Sequence, residues 1–211
     1  MQIDVPFYSN TPDDTHCFQA SLRMVVKYFW PVEEYTWKEL ELITAKAAGL
    51  WTWPTAGMLW LQKKGAQVVS IESFNYETFS QDGGAYLLDF LGREVGGQQI
   101  SHSNIPQEVA LAKQAIQKIH IETRVPKISD ISKLISDGYL VICNVNSSAL
   151  NGDEGYVGHF VVIVGVDESY LWLHDPGLPA QKNRKVNIRQ FEKAWGFPHD
   201  GAKNILAVKG V

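Results

Sequence analysis

The sequence predicts an α+β fold, with a helical N-terminal half packed on a C-terminal antiparallel sheet. Two observations carry this. Apolar residues recur at helical spacing, between capping residues and glycine or proline stops, through most of the first 136 positions. After Gly138 the pattern changes to apolar runs of strand length separated by short polar turns. Helices first and strands last define the α+β class.

The elements follow in order. Gln2 to Tyr8 reads as a short extended segment, and Asn10-Thr11-Pro12-Asp13-Asp14 as a loop with turn chemistry. Thr15 is placed to cap a helix whose apolar positions run from Phe18 through Phe29, with Pro31 ending it. A second helix is expected from Thr36 to Ala48, capped by Thr36 and stopped by Gly49, and a third from Pro54 to Lys64. Gln67 to Ser73 is strand-like. Tyr76 to Leu91 is expected to be helical despite Gly83-Gly84. Ile105 to Ile119 carries helical spacing, and Ile128 to Ser136 is a short helix with Ser129 as candidate cap. Gly83-Gly84 and Gly96-Gly97 lack the strand-and-helix context of a phosphate loop and read as loop or hinge. Tyr139 to Val145, His159 to Val166 and Tyr170 to His174 are strands. Asp167-Glu168-Ser169 joins the last two as a hairpin. Val186 to Ile188 and Asn204 to Val208 are candidate edge strands. Residues 1–211 are read as one domain, with a cleft between the helical half and the sheet.

Composition narrows the function. The chain has 211 residues, 45% of them hydrophobic, enough to bury a real core. Its net charge is −4 and no Lys/Arg block is present, which argues against nucleic acid and anionic membrane as partners. No apolar run approaches the ~20 residues of a membrane span. Met1 to Phe7 lacks the features of a secretory signal, so a cytoplasmic location is expected. The two cysteines, Cys17 and Cys143, form no disulfide framework and should be free thiols in a reducing compartment. Four of the seven tryptophans lie between Trp37 and Trp60, where they can fill a core or line a cleft; the core is the simpler place.

Three residues suggest chemistry. Cys17 sits where a loop meets a helix N-terminus, whose dipole and free N–H groups favour a thiolate, the nucleophilic form. His159 opens a strand behind Gly155 and Gly158, a position from which an imidazole can move a proton near neutral pH. Asp175 closes the next strand in His174-Asp175-Pro176-Gly177. If the two strands pair through the hairpin, Asp175 can hold the His159 tautomer, which is the logic of a triad. Each feature alone is more often plain packing or an ordinary turn; their order raises the odds. His16 beside Cys17 makes a weak metal pair with His159, because typical zinc spacings are absent and no metal or other cofactor is expected. Cys143 lies mid-strand as a core thiol, His174 should point to the opposite face, and His102, His120 and His199 have no partner pattern.

The segments Asp4-Val-Pro-Phe-Tyr-Ser-Asn10 and Cys17-Phe-Gln-Ala-Ser-Leu-Arg-Met-Val resemble the nucleophile region of the bacteriocin-processing peptidases. These are the double-glycine-leader cysteine peptidases of the papain-like superfamily. Gly158-His159-Phe-Val-Val-Ile-Val-Gly165-Val-Asp and Leu173-His-Asp175-Pro176 resemble their histidine and aspartate motifs, and Gly138-Tyr-Leu-Val-Ile resembles the strand before them. Residues 51–125 match no motif and are expected to be a mostly helical insertion that carries specificity. The resemblance implies a papain-like fold and thiol-dependent peptide hydrolysis by Cys17, His159 and Asp175. It also implies an oxyanion-stabilising glutamine before the cysteine. Here Asn10 stands near that place, and Gln19, inside the helix, is a weaker substitute. The family's Cys-Gly-Pro-Ala is replaced by Cys17-Phe18-Gln19-Ala20, so Phe18 and Gln19, together with Gly158, are expected to shape the substrate cleft. The residues themselves fit acyl transfer generally. An acyltransferase or amidase on the same triad, and a catalytically silent binding domain, stay open beside the peptidase reading; the expected partner is a peptide or other acyl substrate.

Overall fold

In a computed structural model, which describes residues 2–210, the protein is an α+β fold built on a seven-stranded sheet. The N-terminal segment runs extended along the sheet, Ile3 N–H donating to the Val164 carbonyl at 2.7 Å. Helix α1 (Cys17–Phe29) is apolar on most of its surface, and Phe18, Leu22, Met24 and Val25 are wholly buried. Thr15 does not cap it. His16 occupies the cap position without a side-chain bond, and the Thr15 hydroxyl is taken by Asp13 Oδ2 at 3.1 Å. Helix α2 (Trp37–Ile43) opens with a capping box between Thr36 and Glu39. It stops well before Gly49, because Ala45 takes a positive φ of 51°. Helix α3 (Thr55–Lys63) leads into β1 (Gln67–Glu72).

The stretch expected as one helix from Tyr76 to Leu91 is broken. Helix α4 (Tyr76–Asp82) ends at Gly83, whose φ of 53° and ψ of −119° suit only glycine, and α5 (Gly84–Ser101) starts beyond it. The second break also differs from expectation. It falls at Gly92 (φ 78°), while Gly96 and Gly97 lie inside the helical segment. Gly96 is needed for another reason: a Cβ there would sit 2.5 Å from the Leu87 carbonyl oxygen, so the kinked halves of α5 approach closely. Helix α6 (Ile105–Lys118) is capped by Asn104, and β2 (His120–Thr123), which the sequence pattern does not announce, follows. Helix α7 (Ile128–Ser136) begins one residue before Ser129, and Asp130 rather than Ser129 satisfies its start by accepting from Lys127 N–H at 2.7 Å.

The remaining elements are β3 (Leu140–Asn146), α8 (Ser147–Asn151), β4 (Gly158–Val166), β5 (Tyr170–Asp175), β6 (Gln181–Asn187), α9 (Ile188–Trp195) and β7 (Asn204–Lys209). Strand order is β2-β1-β7-β3-β4-β5-β6. All neighbours are antiparallel except β1 and β2. Two strands of the sheet thus come from the N-terminal half. The β4 and β5 runs are almost continuously apolar because both faces of the sheet are covered. One face packs Ile142, Val162 and Leu206 against α1, α3 and the α4–α6 region. The other packs Val141, Cys143 and Val161 against Ile131 of α7 and Phe191 and Trp195 of α9. Among the described residues no helix is long and apolar enough to cross a membrane.

Phe18 is the key of the helical face. It is fully buried against Phe160, ring centroids 4.8 Å apart, and a Cβ on Gly57 would meet its ring at 2.8 Å. Removing that ring leaves a hole that neighbouring backbone cannot fill, so Phe18→Ala should cost about 3–5 kcal/mol of unfolding free energy. Urea titration of the variant and the parent protein reads this directly, and a loss below about 1 kcal/mol would show that the site collapses.

Candidate active site

The site is assembled where α1 begins and where β4 and β5 meet. Cys17 is the first residue of α1 and is partly exposed, while the Phe160 ring of β4 packs behind its neighbour Phe18. His159, the second residue of β4, is buried, as is Asp175, the last residue of β5. The hairpin through Asp167–Ser169 sets the strands side by side, and His159 Nε2 lies 2.7 Å from Asp175 Oδ1. With Nε2 committed to the carboxylate, Nδ1 is the ring nitrogen left for the Cys17 thiol, and the two groups stand near enough for their charges to couple.

The electrostatics of the three groups are coupled. Burial pushes the Cys17 thiol up, but the hydrogen bond and charge of His159, with the backbone N–H groups of Phe160 and Phe18, outweigh it and hold the thiol below its ordinary value. Burial alone would lower His159; Asp175 and Cys17 overcome it and raise the imidazole to about 10. Burial likewise works against the Asp175 carboxylate, and His159, Arg184 and the Gly177 N–H bring it down to about 2. The two shifts run in the direction of a thiolate–imidazolium pair, the reactive state of a cysteine nucleophile. By contrast, burial alone pushes the Cys143 thiol far up, and that side chain is wholly enclosed by the core.

Two further residues support Asp175, of which Arg184 carries no signal in the sequence pattern. Arg184 of β6 donates from Nη1 to Asp175 Oδ2 at 2.7 Å and from Nη2 to the Leu150 carbonyl at 3.0 Å. Gly177 N–H donates to Asp175 Oδ1 at 3.0 Å, and a Cβ at Gly177 would lie 3.3 Å from the His159 ring. Arg184 sits in a strand of exposed polar residues, where one more basic side chain reads as surface. Only the pairing of β5 with β6 reveals it.

The other candidates divide. Asn10 is buried between the nucleophile loop and the turn after β5. Its backbone N–H donates to the Pro176 carbonyl at 2.7 Å, and its Oδ1 accepts from His16 N–H at 2.8 Å. Its Nδ2 gives one proton to Asp14 Oδ1 at 2.6 Å, leaving the other N–H for a further acceptor. Gly158 lines the cleft, where a Cβ would approach the Tyr156 hydroxyl to 3.0 Å. Phe18 and Gln19 correct the expectation drawn from their place beside Cys17. Both are wholly buried; the helix turns Phe18 into the core, and Gln19 Nε2 donates to the hydroxyls of Thr44 and Thr52 at 2.8 and 3.0 Å. Neither lines the cleft.

His16 faces away from Cys17. Its Nε2 meets Glu41 Oε1 at 2.7 Å, its Nδ1 meets the Thr11 hydroxyl at 2.7 Å, and its ring packs edge-on against Trp37. Among the described residues no group of three His, Cys, Asp or Glu side chains could hold a metal ion. His174 is buried and hydrogen-bonds the Val5 carbonyl at 2.9 Å, which ties the N-terminal segment to β5.

Fold and site together define a papain-like α+β protein with a cysteine, a histidine and an aspartate in contact. The model of the Peptidase_C39 like family matches residues 2–199, and the chain belongs to that family. Two solved structures share the fold. One is the peptidase domain of Streptococcus ComA, a bi-functional ABC transporter involved in a quorum sensing pathway. It is 13% identical, has a TM-score of 0.52, and the match covers 97% of this chain and 98% of that one. The other is a putative C39-like peptidase from Bacillus anthracis, 16% identical with a TM-score of 0.54, covering 99% and 98%. No curated protein matches the chain.

The His159–Asp175 contact has a measurable consequence. The folded value of His159 lies above its unfolded ~6.5, so its protonation adds stability below that pH, and the contribution is lost as pH rises through about 10. Asp175→Ala removes the strongest group that raises His159. NMR titration of the imidazole should then place its midpoint well below the parent value, moving toward ~6.5. An unmoved midpoint would show that Asp175 does not set the proton affinity of His159.

Proposed function

We propose that the protein is a cysteine-dependent acyl hydrolase that cleaves peptide bonds through a thioester on Cys17. The contact that carries this reading is His159 Nε2 to Asp175 Oδ1 at 2.7 Å, in a histidine whose charge is coupled to the Cys17 thiol. Cys17 thiolate attacks the substrate carbonyl and forms a C–S bond, placing negative charge on the carbonyl oxygen. The Cys17 backbone N–H at the start of α1 and the free N–H of Asn10 Nδ2 are the groups assigned to hold that oxygen. His159, as imidazolium, gives its proton to the leaving amine as the C–N bond breaks. The neutral imidazole then takes a proton from water, which attacks the thioester, releases the acid and restores the thiol pair. Asp175, itself clamped by Arg184, keeps His159 oriented through both proton transfers. The substrate class assigned is a peptide or peptide-like amide. The free state of both cysteines suits a reducing compartment such as the cytoplasm.

An acyltransferase reading has one observation in its favour. The cavity beside Cys17 is walled mainly by apolar groups, and shielding the thioester from water would let an amine or thiol take the acyl group instead. A silent binding domain would need no depressed thiol.

Turnover of a fluorogenic peptide library decides among these readings. Cys17→Ala should abolish release of the reporter while the protein stays folded. Asn10→Ala should lower kcat by about 10²–10³, the loss seen when one oxyanion donor is removed. Turnover that survives Cys17→Ala would overturn the nucleophile assignment. An unchanged kcat in the Asn10 variant would remove Asn10 from the oxyanion site.

A further inference from the structure

A cavity of about 210 Å³ extends from Cys17 toward residues 51–54 and the α5 region. That is the space of about seven water molecules at ~30 Å³ each, enough for an amino-acid side chain. Aromatic rings form part of its walls: Trp53, Phe74 and Phe90 come from the segment that follows α2, and Tyr156 and Phe160 from the approach to β4 and its start. Phe74 is packed edge-on by Trp53, Tyr76 and Phe90, so the wall is fixed rather than loose.

The cavity also holds a carboxyl group that the proposed chemistry leaves unused. Glu72, at the end of β1, lines it together with Ser70 and Tyr76. Both hydroxyls donate to the same oxygen, Glu72 Oε1, at 2.6 and 2.9 Å. Among the described residues no hydrogen bond reaches Oε2. The only other charged side chain lining the cavity is Asp14, and among the described residues no lysine, arginine or histidine lines it. Burial raises the Glu72 carboxyl against the pull of its two hydroxyl donors. Strand order places β1 three positions from β4, the strand of His159, so Glu72 stands about 14 Å from that strand at ~4.8 Å per step.

We infer that this cavity selects substrates whose acyl side carries an extended apolar arm ending in a cationic nitrogen, with Glu72 as its anchor. The inference rests on the cysteine acyl hydrolase reading for the position of the scissile carbonyl. The charge pattern favours a cation and opposes a carboxylate, since both charged lining groups are acids. The aromatic walls suit the methylene stem and, through their ring faces, the cation itself. A lysine or arginine side chain, or a peptide amine one residue further away, has this shape. A neutral arm of equal length would leave Glu72 Oε2 without the charged partner that a cation supplies, and that mismatch is the source of discrimination.

The test has two arms that fail separately. In the first, acyl-lysine, acyl-arginine and acyl-norleucine amides of one fluorescent amine are compared as substrates of the intact protein. The cationic pair should exceed norleucine in kcat/KM by about ten- to a hundredfold, the range of a buried charge-assisted hydrogen bond. In Glu72→Gln the ratio should fall close to one. In the second, hexylammonium, hexanol and hexanoate are titrated against the wild-type protein by calorimetry, which needs no turnover and no variant. Hexylammonium should bind most tightly and hexanoate least. Turnover with norleucine equal to lysine and arginine, or hexanol binding as well as hexylammonium, overturns the assignment of Glu72 while leaving the hydrolase reading in place. Ammonium-selective binding with no turnover of any amide sinks the hydrolase reading and keeps the cavity's preference for a cation.

Discussion

The rest of the site depends on one buried contact, that between His159 and Asp175 at the adjoining ends of β4 and β5. An imidazole so deeply placed would lose its proton to desolvation if it stood alone. The carboxylate reverses that, and is itself held against desolvation by Arg184 and the Gly177 N–H. The charge on His159 then lowers the Cys17 thiol. Each group in this chain is costly to bury by itself, and each is made stable by the next. Removing one partner leaves another buried charge uncompensated, the situation in which single losses are most damaging.

The fold supplies that contact by ordinary means. Two antiparallel strands joined by a three-residue loop bring side chains 16 residues apart within hydrogen-bonding distance. A helix start on the facing layer carries the thiol to the same point. The N-terminal segment is fastened across this junction at Ile3, Val5 and Asn10, through bonds to Val164, His174 and Pro176. The loop that precedes Cys17 is therefore tied to the loop that follows Asp175, so the nucleophile and the histidine's partner are positioned against each other rather than separately.

The parts legible in the sequence were those fixed by local pattern. The apolar runs of β3, β4 and β5, the hairpin between the last two, α1 and α6 follow from periodicity and turn chemistry, and the positions of Cys17, His159 and Asp175 follow from where those elements begin and end. What was not legible depends on partners distant in the chain. Arg184 gains its role only when β6 pairs with β5, and β2 exists only because β1 offers it a parallel edge. Phe18 and Gln19 turn into the core, because adjacency to a nucleophile does not decide which way a helix directs its side chains. The breaks at Gly83 and Gly92 were hidden inside an otherwise helical pattern. They matter because they divide the helical region around Phe90, which lines the cavity beside Cys17 together with Trp53 and Phe74.

The chemistry proposed for the site turns on Cys17 resting as a thiolate paired with protonated His159. Ultraviolet difference titration of the thiolate, with Cys17→Ala as the blank, measures it without any substrate. One equivalent of thiolate absorbance should already be present at neutral pH and absent from the blank. Absorbance that grows in only near ~8.5, the ordinary cysteine value, would contradict it.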